Sequence, residues 1–362
     1  MNSKEILQLT GIRFVASFMV CIFHFNPFTV AVFGERIHDF FSEMHVGVTF
    51  FFVLSGFLIA YRYYHEEHID FRRFYGNRIA RIFPVYLLLT IAFFAVQLFN
   101  HPEWRAQLWF YKELFLNLTL LKGFSSSYKF SGILQAWSLT VEETFYLFAP
   151  FIFLLLRKSR YMLLIFPVFF LLLGILLQYN IGTSPHNTDA WFGNMEFISS
   201  YTFFGRSFEF FCGIALAKVC FRQRDKGVEA VRGNFYTASG ILLSLMLIFL
   251  ISLFASPQYI HGIQHPAGIL INNILLPICI AVFYYGLIYE RTLFAKLLAH
   301  PVLVILGKSS YVFYLVHLWV GSFNDNILFV LPVSILISLL LWRFFEEPAR
   351  RIITSRLAGE QK

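Results

Sequence analysis

Eight ionisable side chains interrupt stretches otherwise built from Phe, Leu, Ile and Val: Arg13, His24, Glu142, Glu143, Arg206, Glu209, Lys308 and His317. Histidine beside carboxylate is the equipment of general acid–base chemistry near neutral pH. Arginine presents a fork that grips phosphate or carboxylate. Held in apolar surroundings, each such group costs several kcal/mol and is a functional candidate by default. Their spacing adds geometry. Arg13 and His24 are eleven residues apart, which on a helix is three turns plus roughly 20°, so they share one face about 16 Å apart. Arg206 and Glu209 form an i,i+3 pair. The candidates sort into two layers. His24, Glu142, Glu143, Arg206, Glu209 and His317 fall at one depth, and Arg13, Arg78, Arg81, Lys308 and Arg343 form a basic set at the other. Two layers imply two ligands arriving from opposite faces, an anionic one on the basic side and a polar one on the acid/base side.

The elements that must position these groups are membrane helices. Of 362 residues, 58% are hydrophobic and only 14% charged, too few charges to cover the surface of a soluble fold. A span needs about 20 mostly apolar residues. By that measure the chain is an all-α, polytopic integral membrane helix bundle with about ten transmembrane helices, near 10–33, 46–65, 82–99, 138–156, 161–180, 201–220, 234–255, 268–289, 302–324 and 327–345. The second and sixth carry polar residues near an end. The first apolar run is too long for a signal peptide and no small-residue cleavage site follows it. Residues 108–121 suit an interfacial helix. No internal repeat is visible, and residues 1–362 read as a single domain. With the N-terminus in the cytoplasm, 21 of the 29 Lys and Arg residues fall on the inner side and 5 on the outer, which places both termini inside. The same asymmetry accounts for the net charge of +8, so no nucleic acid is called for. Cys21, Cys212, Cys220 and Cys279 read as small packing residues rather than disulfides or metal ligands. Asn117-Leu118-Thr119 matches a glycosylation sequon by pattern alone, and Glu346, Glu347, Arg350 and Arg351 read as a solvated helix end.

Seven segments carry a family likeness: Arg13-x10-His24, GVTFFFVLSGFLIA (47–60), RRFYGNRIARIFPVY (72–86), WSLTVEETFY (137–146), GRSFEFFCGIALA (205–217), LGKSSYVFYLVH (306–317) and RFFEEPARR (343–351). Together, in this order and across almost the entire chain, they resemble the acyltransferase-3 family of bacterial membrane O-acyltransferases, in its stand-alone type without a C-terminal hydrolase-like domain. The resemblance implies an acyl-CoA donor, acetyl-CoA above all, on the cytoplasmic side of the bacterial inner membrane. It implies a carbohydrate hydroxyl as acceptor, as in surface polysaccharide or lipopolysaccharide biosynthesis, and no permanently bound cofactor or metal. By position, Arg13 and His24 match the family's Arg-His signature and Glu142 the more regular of its two helix-4 carboxylates, with Glu143 beside it. Arg78 and Arg81 match the basic segment before helix 3, Arg206 and Glu209 the helix-6 motif, and His317 the helix-9 histidine. Thr49 departs from the pattern, since many members have Asp there, and Thr10 stands where an Asp often precedes the first Gly.

On this reading Arg13, with Arg78 or Arg81, holds the phosphates of CoA. The acyl arm reaches up the bundle to His24, the general base, which Glu142 orients and charge-balances; an acyl-histidine is a variant. The rival reading is a secondary transporter or flippase of a polar or lipid-linked sugar, because intramembrane His, Glu and Arg also serve proton relays. Paired half-sequences, common in transporters, are not seen. The acyl group, the acceptor hydroxyl and the oligomeric state stay open.

Overall fold

The computed structural model describes residues 5–66 and 68–359. Lys4 and Lys362, counted among the inner charges, lie outside them. The helices that matter for the site are, in chain order, α1 (Leu7–His24), α2 (Gly47–Tyr63), α3 (Phe71–Asn100), α4 (Leu108–Leu118), α5 (Trp137–Lys158), α6 (Met162–Leu177), α7 (Phe203–Asp225), α8 (Phe235–Ser252), α9 (Leu276–Tyr289), α10 (Pro301–Gly321), α11 (Ile327–Leu341) and α12 (Glu347–Gly359). Among the described residues there is no strand, only isolated bridges such as Ser125 with Trp191. The protein is a polytopic all-α membrane bundle. Among the described residues nine helical segments are long and apolar enough to cross a bilayer. The remaining expected span, the sixth (201–220), is α7: at 23 residues it has the length, but Arg206, Glu209, Lys218, Arg222 and Arg224 make it too polar to qualify by composition.

Two expected boundaries move, and both moves affect the site. The first span was expected to run to residue 33, but α1 stops at His24, and Phe25 leaves the helical region at φ −127°, ψ 50°. Pro27 ends the helix here, because Asn26, the residue before the proline, avoids the α conformation and helices stop at or before that position. His24 therefore sits at a helix end rather than within a span. The third span was expected to start at 82, but α3 starts at Phe71, capped by the Asp70 side chain, which accepts from Arg73 N at 3.0 Å. Arg78 and Arg81 thus lie inside a helix and not ahead of one. Residues 108–121 do contain a helix, α4, and Glu346 proves buried rather than solvated, while Glu347 pairs with Arg350 and Arg351 at 2.6 and 2.8 Å as a helix-surface network.

The chain folds as two compact units. In the first, residues 5–66 and 208–339, α1 and α10 run parallel in close contact. A Cβ on Gly307 would fall 1.9 Å from the Thr10 carbonyl oxygen, and one on Gly11 would fall 2.0 Å from that of Leu298. Only glycine at both positions allows this approach, the small-residue packing that membrane helices use in place of a hydrophobic drive. Higher up the same seam Phe14 meets Phe313 edge to face at 5.6 Å. Buried Cys21, Phe313 and Val330 close the core where α1, α10 and α11 meet. All four cysteines are free thiols.

The second unit, residues 68–207 and 340–359, is built on α3, α5, α6 and α12. Within it the rings of Phe148, Phe170 and Phe203 pack against one another, Phe170 meeting Phe203 edge to face. Its loops are pinned by buried polar bonds. Lys122, fully buried, donates to the Ser131 and Ile133 carbonyls at 2.5 and 2.7 Å. Asn117 is also fully buried and its Nδ2 donates to Glu113 O and Ser131 Oγ, both at 2.9 Å. The sequon asparagine is a structural residue, closed to any transferase. α6 turns Leu164, Val168 and Leu172 outward, an apolar face suited to lipid.

Candidate functional site

In the first unit the α1–α10 seam delivers two histidines to one place. The rings of His24 and His317 lie 5.3 Å apart between centroids. Their surroundings differ. His317 is fully buried, and its Nδ1 donates to the Phe313 carbonyl at 3.3 Å, which fixes the tautomer and leaves Nε2 a buried acceptor without a hydrogen bond among the described residues. His24 is half-buried at the end of α1, and neither of its ring nitrogens hydrogen-bonds to another described residue. It opens on a cleft of about 570 Å³. A histidine free to take a proton from an incoming group, backed by a second whose tautomer is fixed, is the geometry of a base and its support. Arg13 lies on the same unbroken helix, about 16 Å back along the axis by the helix rise. Lys308, at that end, pairs with Glu5 at 3.5 Å.

Four further residues join this histidine pair that sequence reasoning did not single out. Phe23 packs its ring 4.7 Å from His24, 5.1 Å from His45 and 5.0 Å from His261. Glu43, fully buried, accepts from Gly262 N at 2.5 Å and sets its other oxygen 3.8 Å from His45. The loop between α8 and α9 is thereby tied beneath the site, and burial lowers the pKa of its His261. A signal existed for two of these: Glu43 and His45 stand four and two residues ahead of Gly47, where the second apolar stretch begins. Nothing local marks His261, because its neighbours in space are remote in sequence. Thr49, at the position where many family members have Asp, donates to Asn272 Oδ1 at 2.9 Å within the buried interior.

The second unit collects a different set. On α5, Glu142 accepts a short hydrogen bond from the Tyr146 hydroxyl one turn later. The guanidinium of buried Arg78 stands over the Tyr146 ring at 5.5 Å and over Phe74 at 5.9 Å. Glu143 lies within electrostatic reach of both Glu142 and Arg78, with Oε1 buried and without a hydrogen bond among the described residues. Arg81, one turn from Arg78, is half-buried. Arg206 is buried against Trp137, 5.8 Å from its ring, and its Nη1 reaches the Ser200 carbonyl at 3.4 Å. Fully buried Glu209 follows three residues later on α7. The structure therefore brings together His24 with His317, and Arg78 with Glu142 through Tyr146; Arg13 and Glu209 belong to the first unit, Arg206 to the second.

A bundle with embedded histidines, carboxylates and arginines on these helices defines a class, multi-pass membrane proteins equipped for acid–base chemistry. The sequence model of the acyltransferase-3 family, described as an acyltransferase domain, matches residues 6–345, and the chain belongs to that family. Among curated proteins it is similar to the O-acetyltransferase OatA of Staphylococcus aureus strain NCTC 8325, 25% identical over 373 residues that cover 95% of this chain and 57% of the relative. A second S. aureus protein, of strain COL, named as a candidate O-acetyltransferase, is 25% identical over 377 residues, covering 96% of this chain and 58% of the relative. The chain thus spans little more than half the length of these relatives. No solved structure matches it.

Proposed function

We propose that the protein is an O-acyltransferase that moves an acyl group, acetyl foremost, from cytoplasmic acyl-CoA to a hydroxyl of a cell-surface or lipid-linked carbohydrate, working in the bacterial inner membrane with both termini inside. The observation that carries this reading is His24: a half-buried imidazole with no hydrogen bond to another described residue, backed by His317 and open to a cleft. A thioester is already activated, so the acceptor needs a base, positioning and charge stabilisation. His24 takes the proton of the acceptor hydroxyl as its oxygen adds to the thioester carbonyl. Collapse of the adduct breaks the C–S bond, and the proton returns from His24 to the departing CoA thiolate. His317 holds the imidazole in place. Glu142 supplies a fixed carboxylate charge required by the reaction. Arg13 and Arg81, partly exposed, are the arginines best suited to the donor's phosphates; Arg78, buried under Tyr146, supports Glu142. The likeness to O-acetyltransferases supports acetyl as the group moved.

The test is transfer of label from labelled acetyl-CoA to envelope glycan in membranes carrying His24→Ala. Loss of a general base costs about 10²–10⁴-fold, so transfer should vanish while the protein stays in the membrane. Wild-type transfer by that variant would end the assignment, and glycan movement without any need for acyl-CoA would favour transport.

A further inference from the structure

The cleft beside His24 has walls that the reaction as described does not use. One side is the chain leaving α1, Phe25 and Asn26; the other is the turn between α10 and α11, with Asp325, Asn326 and Leu328. Asn26 is committed to the fold: Oδ1 accepts from Phe28 N at 2.9 Å, and Nδ2 donates to Ser42 Oγ at 3.0 Å and to the His38 carbonyl at 3.1 Å. Asn326 spends only its oxygen, which accepts from Leu328 N at 2.9 Å and caps α11, so its amide protons remain to donate. Asp325 is exposed and makes no hydrogen bond or ion pair among the described residues. A carboxylate and an amide donor thus face a cavity of about 570 Å³ that ends at a free imidazole. That volume falls within the range of small-molecule sites, about 300–1,000 Å³.

We propose, resting on the acyl-transfer reading above, that this cleft is the acceptor subsite. Asp325 accepts hydrogen bonds from sugar hydroxyls, Asn326 donates to one, and Phe25 and Leu328 cover the apolar ring face, so that a further hydroxyl meets His24. Hydrogen bonds to a charged acceptor are the strong kind. Among the described residues no Lys or Arg lines the cleft, and the Asp325 charge repels a second anion. The residue held here is a neutral, polyhydroxylated sugar rather than a uronate or sugar phosphate.

The experiment measures transfer from labelled acetyl-CoA to envelope glycan in membranes of producing cells, with chitotriose and trigalacturonate as matched neutral and anionic competitors. Asp325→Ala should lower transfer at least tenfold with the half-saturating acetyl-CoA concentration unchanged, and Asp325→Asn, which keeps an acceptor oxygen, should recover part of it. Chitotriose should inhibit the wild type more than trigalacturonate does. Transfer by Asp325→Ala within twofold of wild type, or no discrimination between the competitors, overturns the subsite. His24→Ala is run beside it: if that variant transfers normally, the acyl-transfer reading itself falls, whereas an inactive His24→Ala beside a normal Asp325→Ala removes the acceptor assignment alone.

Discussion

Replacing Gly307 with alanine tests how the α1–α10 seam holds the histidine pair. The new Cβ would lie 1.9 Å from the Thr10 carbonyl oxygen, whereas ordinary contact begins at 3.4 Å. The obstacle is backbone and no side-chain rotation relieves it, so the helices must part by roughly 1.5 Å, the difference between those two distances. Because α1 and α10 run parallel along this seam, the displacement is carried up it, and the 5.3 Å spacing of His24 and His317 opens towards about 7 Å. Misplacement of reacting groups by about 1 Å costs on the order of 10²-fold in rate. Overpacking of this kind costs about 1–3 kcal/mol of stability. Gly307→Ala should therefore remain in the membrane with a lowered melting temperature and lose about 100-fold in the initial rate of acetyl transfer. Gly233→Ala is the control: its Cβ would meet nothing nearer than Glu290 Oε1 at 3.9 Å, and its rate should equal wild type. If Gly307→Ala melts lower but transfers within twofold of wild type, the seam does not set the position of His24.

Two other expectations concern the second unit. Burial pulls the pKa of Lys122 from its ordinary 10.5 down to about 7, with Glu113 the nearby charge that opposes the shift. Between those values the unfolded chain holds a proton that the folded chain has released, so stability rises with pH from about 7 towards 10.5, and the full burden of burying the cation is present below about 7. A melting-temperature series from pH 7 to 9 should rise more steeply for wild type than for Lys122→Met, and parallel slopes would count against this account. On α5, Glu142→Gln should lower acetyl transfer at least 100-fold by removing the charge, while Tyr146→Phe, which deletes one hydrogen bond to it, should cost nearer tenfold; initial rates at matched membrane abundance separate the two.

Much of the candidate site was legible because membrane helices write their contents plainly. A charge in a run of Phe and Leu stands out, and the 3.6-residue period puts Arg13 and His24 on one face before any packing is known. The helix ends were less legible. Whether α1 continued past His24 depended on Pro27 and on what the next residues, Asn26 and Phe28, bonded to. The start of α3 depended on a single cap at Asp70. The support beneath His24 was hidden for a different reason: Glu43 and His45 come from one segment and His261 from another, and their convergence around Phe23 has no local period to betray it. Glycosylation at Asn117 was permitted by its triplet and excluded by burial, which no triplet encodes.

By itself, then, the amino-acid sequence determined that this chain is a bundle of membrane helices with a sparse set of ionisable groups, since hydrophobic length and the cost of a charge in lipid are properties of local composition. Only the tertiary structure decided which of those groups meet. Glycines at 11 and 307 bring α1 against α10 and so set His24 beside His317; Tyr146 joins Arg78 to Glu142; and the turn after α10 places Asp325 across a cleft from a histidine 301 positions earlier. Contacts of that kind arise from close packing between remote segments, where each partner's position is set by helices it does not belong to.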